Sequence, residues 1–334
     1  MKKLIALLAT LALLLSMVSV PVMADGKPAP SICIVVAGTL GDRSFYDSSK
    51  EGIDRLAADF GIKTGVIECK EDASQYENAL FEAAEQYEVV AAVGWQFWDA
   101  LADENGVVSA FPEVKFLFID NGLDGMGDNL MSIVYAQNQG SFLVGYIAAK
   151  LSETGKIGAV GGEDSDTIND FLIGYRAGAA YANPDVVVEV QYANDFEDPA
   201  KGKECALALY TAGCDIVYQV AGKTGEGVFE AAQVNGKYAI GVDGDQKYIN
   251  PDVIICSMVK RVGDSIYDVV ANMDGMFQPG AIWNADMASG YIDVVYGTDD
   301  MPQQVSAELK AEVDELKAKI VSGEIVVPSA FDAQ

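Results

Sequence analysis

Short stretches that combine glycine with carboxylates or aromatic rings recur along the chain. The first half carries Gly38-Thr39-Leu40-Gly41-Asp42-Arg43-Ser44-Phe45, Gly94-Trp95-Gln96-Phe97-Trp98 and Asp120-Asn121-Gly122. The second half carries Gly161-Gly162, Asn194-Asp195-Phe196, Ala221-Gly222-Lys223-Thr224-Gly225 and Gly241-Val242-Asp243-Gly244-Asp245. Glycine lets backbone approach a bound molecule closely. Carboxylates accept hydrogen bonds from several hydroxyl donors, as a sugar or a ribose diol presents. An aromatic face suits a flat heterocycle, with stacking worth about 1–3 kcal/mol per base. A flat base on a polyol is a nucleoside, and this set of groups fits one.

Most of these residues have a second reading. A carboxylate just after a strand caps the next helix as readily as it meets a ligand. Phe45 also fits a helical stripe with Ser49, which would make it core. Phe97 reads as core, whereas Trp95, closer to its strand end, reads as lining a cleft. Lys260 ends an apolar strand, where it either escapes to solvent or meets a ligand at a crossover between lobes. Gly38-x-x-Gly41 lacks both dinucleotide-fingerprint spacing and a Walker lysine.

Composition narrows the chemistry. The chain has no histidine among its 334 residues, which excludes Ser–His–Asp and Cys–His hydrolases. The remaining enzyme reading, carboxylates as acid and base in a Rossmann-like cleft, lacks a dinucleotide fingerprint, so no catalytic residue and no cofactor are expected. Without His or Cys-x-x-Cys a zinc site is not credible, and Asp164 and Asp166 lack the spaced ligand loop of a calcium site, so no metal is expected. A net charge of −28 opposes nucleic-acid binding and docking on anionic membranes. Five dispersed cysteines do not form a disulfide framework; Cys33 with Cys69 is the one pairing considered.

Residues 1–24 read as an export signal, with Lys2 and Lys3 before the apolar run Leu4–Val20 and Val22-Met23-Ala24 at the cleavage point. The protein is therefore expected to be exported, periplasmic or extracellular. No cysteine lies near the cleavage point to carry a lipid anchor.

The loops need elements to hold them. Val- and Ile-rich runs at Ser31–Ala37, Lys63–Glu68, Val89–Val93, Val114–Ile119, Met131–Val134, Lys156–Val160, Val186–Gln191, Asp215–Val220, Tyr238–Val242 and Val253–Met258 alternate with helical periods. Continuous apolar strands between helices predict parallel sheets covered on both faces. Helix limits are also legible: Ile53, Leu56 and Phe60 before Gly61, and Asp198-Pro199 opening a helix that Gly213 closes. The helix from Gly140 to Leu151 reads as buried and as starting a second lobe. A final helix runs over Val305–Val321. The fold class is thus α/β, with two doubly wound parallel-sheet lobes. Residues 25–137 plus 259–297 are assigned to the N-terminal lobe and 138–258 plus 298–334 to the C-terminal lobe. Ligands of such sheets bind beyond the carboxyl ends of the strands.

In order along the chain stand Gly41-Asp42-Arg43-Ser44-Phe45, Val93-Gly94, Ile119-Asp120, Gly140-Ser141-Phe142-Leu143-Val144-Gly145 and Gly155-Lys156-Ile157-Gly158-Ala159-Val160-Gly161-Gly162. Asp198-Pro199-Ala200-Lys201-Gly202, Gly225-Glu226-Gly227-Val228-Phe229, Gly241-Val242-Asp243-Gly244-Asp245-Gln246 and Ser257-Met258-Val259-Lys260 follow. This series resembles the basic membrane protein family of bacterial ABC-transporter substrate-binding proteins, which includes purine nucleoside receptors. The resemblance implies a type I periplasmic-binding fold, its two lobes joined by a three-strand hinge around a ligand cleft. It implies Phe45 and Phe196 as a base sandwich, Asp42 and Asp120 serving from the first lobe, Asp243 and Lys260 gripping ribose hydroxyls, and Gly222 backbone near the sugar. The chain departs from the family pattern at Tyr46 for Asn, Lys223 for Gly and Asn121 for Gly, and in lacking the lipid-anchoring cysteine.

The expectation is a monomeric nucleoside-binding protein, purine above all, that closes over its ligand and delivers it to an ABC permease. The alternatives are a receptor for another flat or hydroxylated ligand, such as riboflavin or a sugar, and a ligand-sensing partner of a membrane receptor.

Overall fold

The computed structural model describes residues 29–332. The expected export signal, residues 1–24, lies outside them. Twelve strands form two six-stranded sheets. The first is ordered β11-β5-β4-β3-β1-β2, from β1 (Ile32–Val36), β2 (Thr64–Glu68), β3 (Val89–Val93), β4 (Lys115–Ile119), β5 (Leu130–Tyr135) and β11 (Ile282–Ala285). The second is ordered β12-β10-β9-β8-β6-β7, from β6 (Lys156–Gly161), β7 (Val187–Tyr192), β8 (Ile216–Val220), β9 (Tyr238–Asp243), β10 (Ile254–Lys260) and β12 (Ile292–Val295). All neighbours are parallel except β10 and β12. Central strands β1, β3 and β8 are buried along their whole length, as strands with helices on both faces must be.

The long helices are α1 (Phe45–Phe60), α2 (Tyr76–Ala84), α3 (Gln137–Leu151), α4 (Asp166–Ala182), α5 (Pro199–Thr211), α6 (Glu226–Asn235), α7 (Val262–Ala271) and α8 (Ala307–Val321). Gly61 ends α1 in the left-handed region at φ 62°, its N–H returning to the Ala57 carbonyl. The Asp198 carboxylate caps α5 through the Ala200 N–H, with Pro199 in the first turn. Helices α3 and α4 pack so closely that a Cβ at Gly145 would collide with the Tyr175 carbonyl and one at Gly178 with the Phe142 carbonyl. Helix α3 begins three residues earlier than its periodicity predicts, at Gln137.

The chain passes between the sheets three times: from β5 into α3, from β10 through α7 to β11, and from β11 to β12. The last passage corrects the expected boundary. Residues 292–295, expected in the first lobe with the rest of 259–297, pair antiparallel with β10 in the second sheet, Ser257 opposite Val295 and Lys260 opposite Ile292. The return comes at the turn 286–290, where Asp286 and Ser289 bond each other.

All five cysteines are free. The considered Cys33–Cys69 bridge does not form because register opposes it: Cys33 faces Gly65 across the β1–β2 pair. Cys69 lies four residues further along, about 13 Å at strand rise, beyond the reach of a disulfide.

Candidate ligand-binding site

Both sheets point the carboxyl ends of their strands at the gap between the lobes. A cavity lies there. The loop after β1 contributes Asp42, Phe45 and Tyr46; the loop after β3 contributes Gly94, Trp95 and Gln96; the end of β4 contributes Asp120. From the other lobe come Phe196 after β7, Gly222 and Lys223 after β8, Asp243 at the end of β9 and Lys260 at the end of β10. All eight residues singled out from the sequence, Asp42, Phe45, Trp95, Asp120, Phe196, Gly222, Asp243 and Lys260, line this one space. Phe97 is fully buried away from it, in the core.

The cation at the centre is Lys260, 1% exposed. Its ammonium lies 2.8 Å from Asp120 Oδ1. Three rings surround it: Phe45 at 4.8 Å, Phe171 at 4.9 Å and Tyr135 at 5.3 Å to the centroid. A buried charge needs such company, because the desolvation penalty exceeds what one hydrogen bond returns.

Asp243 stands opposite. Its Oδ2 accepts a hydrogen bond from Ser44 Oγ at 2.6 Å, across the gap between lobes. Its Oδ1 is buried without a partner. Burial pushes this carboxyl up from its ordinary range, while Lys260 and Ser44 pull it down. An orphaned acceptor in a cavity fits a ligand hydroxyl. Asp120 and Asp243 both hold positive φ, 76° and 64°, a strained backbone that concentrates at binding sites.

Asp42 has a different occupation. Its carboxylate accepts from the backbone N–H of Ser44 (3.1 Å), Tyr46 (2.8 Å) and Asp47 (3.0 Å), and so caps α1 while lining the cavity. Burial pushes its pKa up to about 7, against the pull of those three bonds. The capping reading and the cavity reading both hold for this residue.

Phe45 and Phe196 line the cavity from opposite lobes. Gly162 makes room for the second ring: a Cβ there would collide with Phe196. Gly222 takes φ 54°, and the loop it opens is tied to Phe196 by the Thr224 N–H bonding the Phe196 carbonyl. Two departures from the family pattern, Tyr46 and Lys223, line the same space, whereas Asn121 does not. Tyr46 stacks edgewise on Phe45 at 5.4 Å, and Lys223 pairs with Glu197 at 3.4 Å.

Sequence reasoning missed Thr167, Ile168 and Phe171, which reach the cavity from the first turns of α4. They read as ordinary helix; the available signal was the glycine pair at 161–162 followed by the cap Ser165, which sets a helix start over the cleft. Among the described residues no group of three or more His, Cys, Asp or Glu is placed to hold a metal ion, and no helix is long and apolar enough to cross a membrane.

The Bmp family, described as ABC transporter substrate-binding protein PnrA-like, matches residues 29–330. The chain is 34% identical over 314 residues to basic membrane protein A of Borreliella burgdorferi, covering 91% of this chain and 89% of that one. It is 33% identical over 315 residues to the ABC transporter nucleoside-binding protein BmpA of Lactococcus lactis, covering 88% and 87%. A solved ABC transporter solute-binding protein from Aeropyrum pernix K1 superposes with a TM-score of 0.78 at 28% identity, over 89% of this chain and 93% of that one. The fold, the cleft between its lobes and these matches together place the chain in the Bmp family of PnrA-like ABC transporter substrate-binding proteins.

Proposed function

We propose that this protein binds a nucleoside between its lobes outside the cytoplasm and hands it to an ABC permease, without making or breaking a bond. The observation that carries this reading is one cavity that offers two aromatic rings from opposite lobes, Phe45 and Phe196, together with an unpartnered buried carboxylate oxygen on Asp243. The rings suit a base, and the carboxylate with Lys260 suits ribose hydroxyls. The nucleoside-binding relative in Lactococcus lactis supports the same ligand class. Closure supplies the mechanism: a ligand bridging both lobes shifts the open–closed equilibrium by its differential affinity for the closed state.

Calorimetric titration with adenosine, guanosine, inosine and cytidine is the test, with riboflavin as the competing flat ligand. At least one nucleoside is expected to bind with heat, and a purine most tightly. Asp243→Ala should abolish that binding without unfolding the protein. Phe196→Ala should weaken it by about 1–3 kcal/mol. Binding of riboflavin and of no nucleoside would overturn the reading.

A further inference from the structure

Ser44 occupies the residue before α1, where serine ordinarily bonds the N–H groups of the first helical turn. Here its side chain makes no such bond. The capping work is done two residues earlier by Asp42, whose carboxylate holds the N–H groups of Ser44, Tyr46 and Asp47. The serine hydroxyl is thereby released, and it crosses to the other lobe. It donates to Asp243 Oδ2 at 2.6 Å, with the Val242 carbonyl a more distant second acceptor at 3.4 Å. Ser44 is 2% exposed, so no water competes for the bond. One residue upstream, the Arg43 carbonyl accepts from Gln246 Nε2 at 3.1 Å, and Gln246 is itself held by the Val242 N–H and by Ser257. The β1–α1 loop therefore docks on the end of β9 and the loop beyond it through hydrogen bonds of Ser44 and Arg43 that exist only while the lobes are together.

We propose that Ser44 is a positioning residue that orients the Asp243 carboxylate from across the cleft, so that closure itself aims the Oδ1 oxygen at the ligand. With the lobes apart the carboxylate loses its donor and is free to rotate. With the lobes closed Oδ2 is engaged and Oδ1 alone is left for a hydroxyl. The charged groups facing Asp243 are Lys260, which attracts it, and Asp120, which repels it. Ser44 supplies the bond that gives it a direction. The inference rests on the nucleoside reading for the identity of the ligand and on cross-lobe geometry for everything else.

The test compares wild type, Ser44→Ala and Ser44→Thr, with the nucleoside that binds wild type best. Stopped-flow tryptophan fluorescence follows binding, since Trp95 lines the cavity. Ser44→Ala is expected to raise Kd about tenfold, almost all of it in the dissociation rate, with association changed less than about twofold. Ser44→Thr, which keeps the hydroxyl, should restore most of the loss. A pH series separates positioning from packing: without its donor the Asp243 carboxyl protonates more readily, so the acidic loss of affinity in Ser44→Ala must move to higher pH. Unchanged affinity, or a loss with the wild-type pH profile, overturns the proposal. If no nucleoside binds wild type, the ligand reading fails and small-angle scattering on ligand-free protein decides the latch. Ser44→Ala must then be more open than wild type, and identical scattering overturns it.

Discussion

At the scale of single residues the site depends on how buried charge is neutralised. Lys260 and Asp120 meet at 2.8 Å with side chains 2% and 8% exposed. Removing one partner leaves the other uncompensated, which costs about 3–5 kcal/mol where the survivor stays charged. Lys260→Met should therefore lower the melting temperature, and the loss should depend on pH. Without the lysine, the Asp120 carboxyl has a folded pKa far above its unfolded one. Stability then falls as pH rises from the unfolded value, about 3.9, toward the folded value, and stays low beyond it. Thermal melts from pH 4 upward should show the gap to wild type widening, and Lys260→Met/Asp120→Asn should close most of it. A gap independent of pH would mean that lost packing against Phe45, Phe171 and Tyr135, rather than the orphaned carboxylate, sets the cost.

At the scale of elements, glycines decide how near two helices, or a strand end and a ring, can come. Gly178 of α4 faces the Phe142 carbonyl of α3, and a methyl group there meets backbone that cannot move aside. Gly178→Ala should destabilise by about 1–3 kcal/mol or more, read as a lowered denaturant midpoint, with ligand affinity unchanged in the folded fraction. Gly162→Ala is the contrasting case: its methyl group meets the Phe196 ring, so affinity should fall while stability holds nearly level. Equal effects of both variants on stability would contradict this division. These elements also show what is legible in a sequence. Strands β1, β3, β4, β6, β8 and β9 are apolar runs closed by Gly or Asp, so these strands and the loops beyond them can be located, and most of the cavity residues follow. Strands β11 and β12 escape notice because their pairing is not local: Ile282–Ala285 and Ile292–Val295 are four residues each, and nothing within them says that one joins β5 and the other returns to β10. Asp42 illustrates the limit at a single position, since a carboxylate at a helix start has the same signature whether it caps, lines a cavity or does both. Ser44 is harder still. It looks like a cap, and only the competing bonds of Asp42 reveal that its hydroxyl is free to cross the cleft.

At the scale of the whole molecule, closure brings like charges together at the rim farthest from the crossovers. Glu197 of the second lobe accepts from the Thr39 N–H and hydroxyl of the first, at 2.8 and 2.6 Å, and pairs with Lys223. The same bond set carries Glu197 up to Glu71, and carboxylate oxygens of both converge over Gly38. Burial first, and Glu197 next, push the Glu71 carboxyl up to about 7, with Glu163 and Asp195 adding to the effect and the Tyr46 hydroxyl opposing it. When the lobes part, Glu197 leaves and the Glu71 carboxyl falls by the share of the rise that Glu197 causes. The closed form therefore binds more protons, and closure weakens as pH rises from about 4.5 to about 7, then levels off. Any ligand that needs the closed form inherits this dependence in its affinity. The Asp243 carboxyl titrates in the same cleft with the opposite sense, since ligand hydroxyls need it ionised, so wild-type affinity alone does not isolate the rim. The ratio of Glu71→Gln to wild type does. Glutamine keeps the shape and removes the repulsion, so it should bind about threefold to tenfold more tightly at pH 8, the screened exposure of the rim holding the effect to that range. The two proteins should converge as pH falls below about 4.5, where the wild-type Glu71 carries its proton in both arrangements. A ratio flat across pH, or a glutamine variant that binds more weakly at pH 8, would show that the rim carboxylates do not oppose closure and that Thr39 and Lys223 already neutralise them.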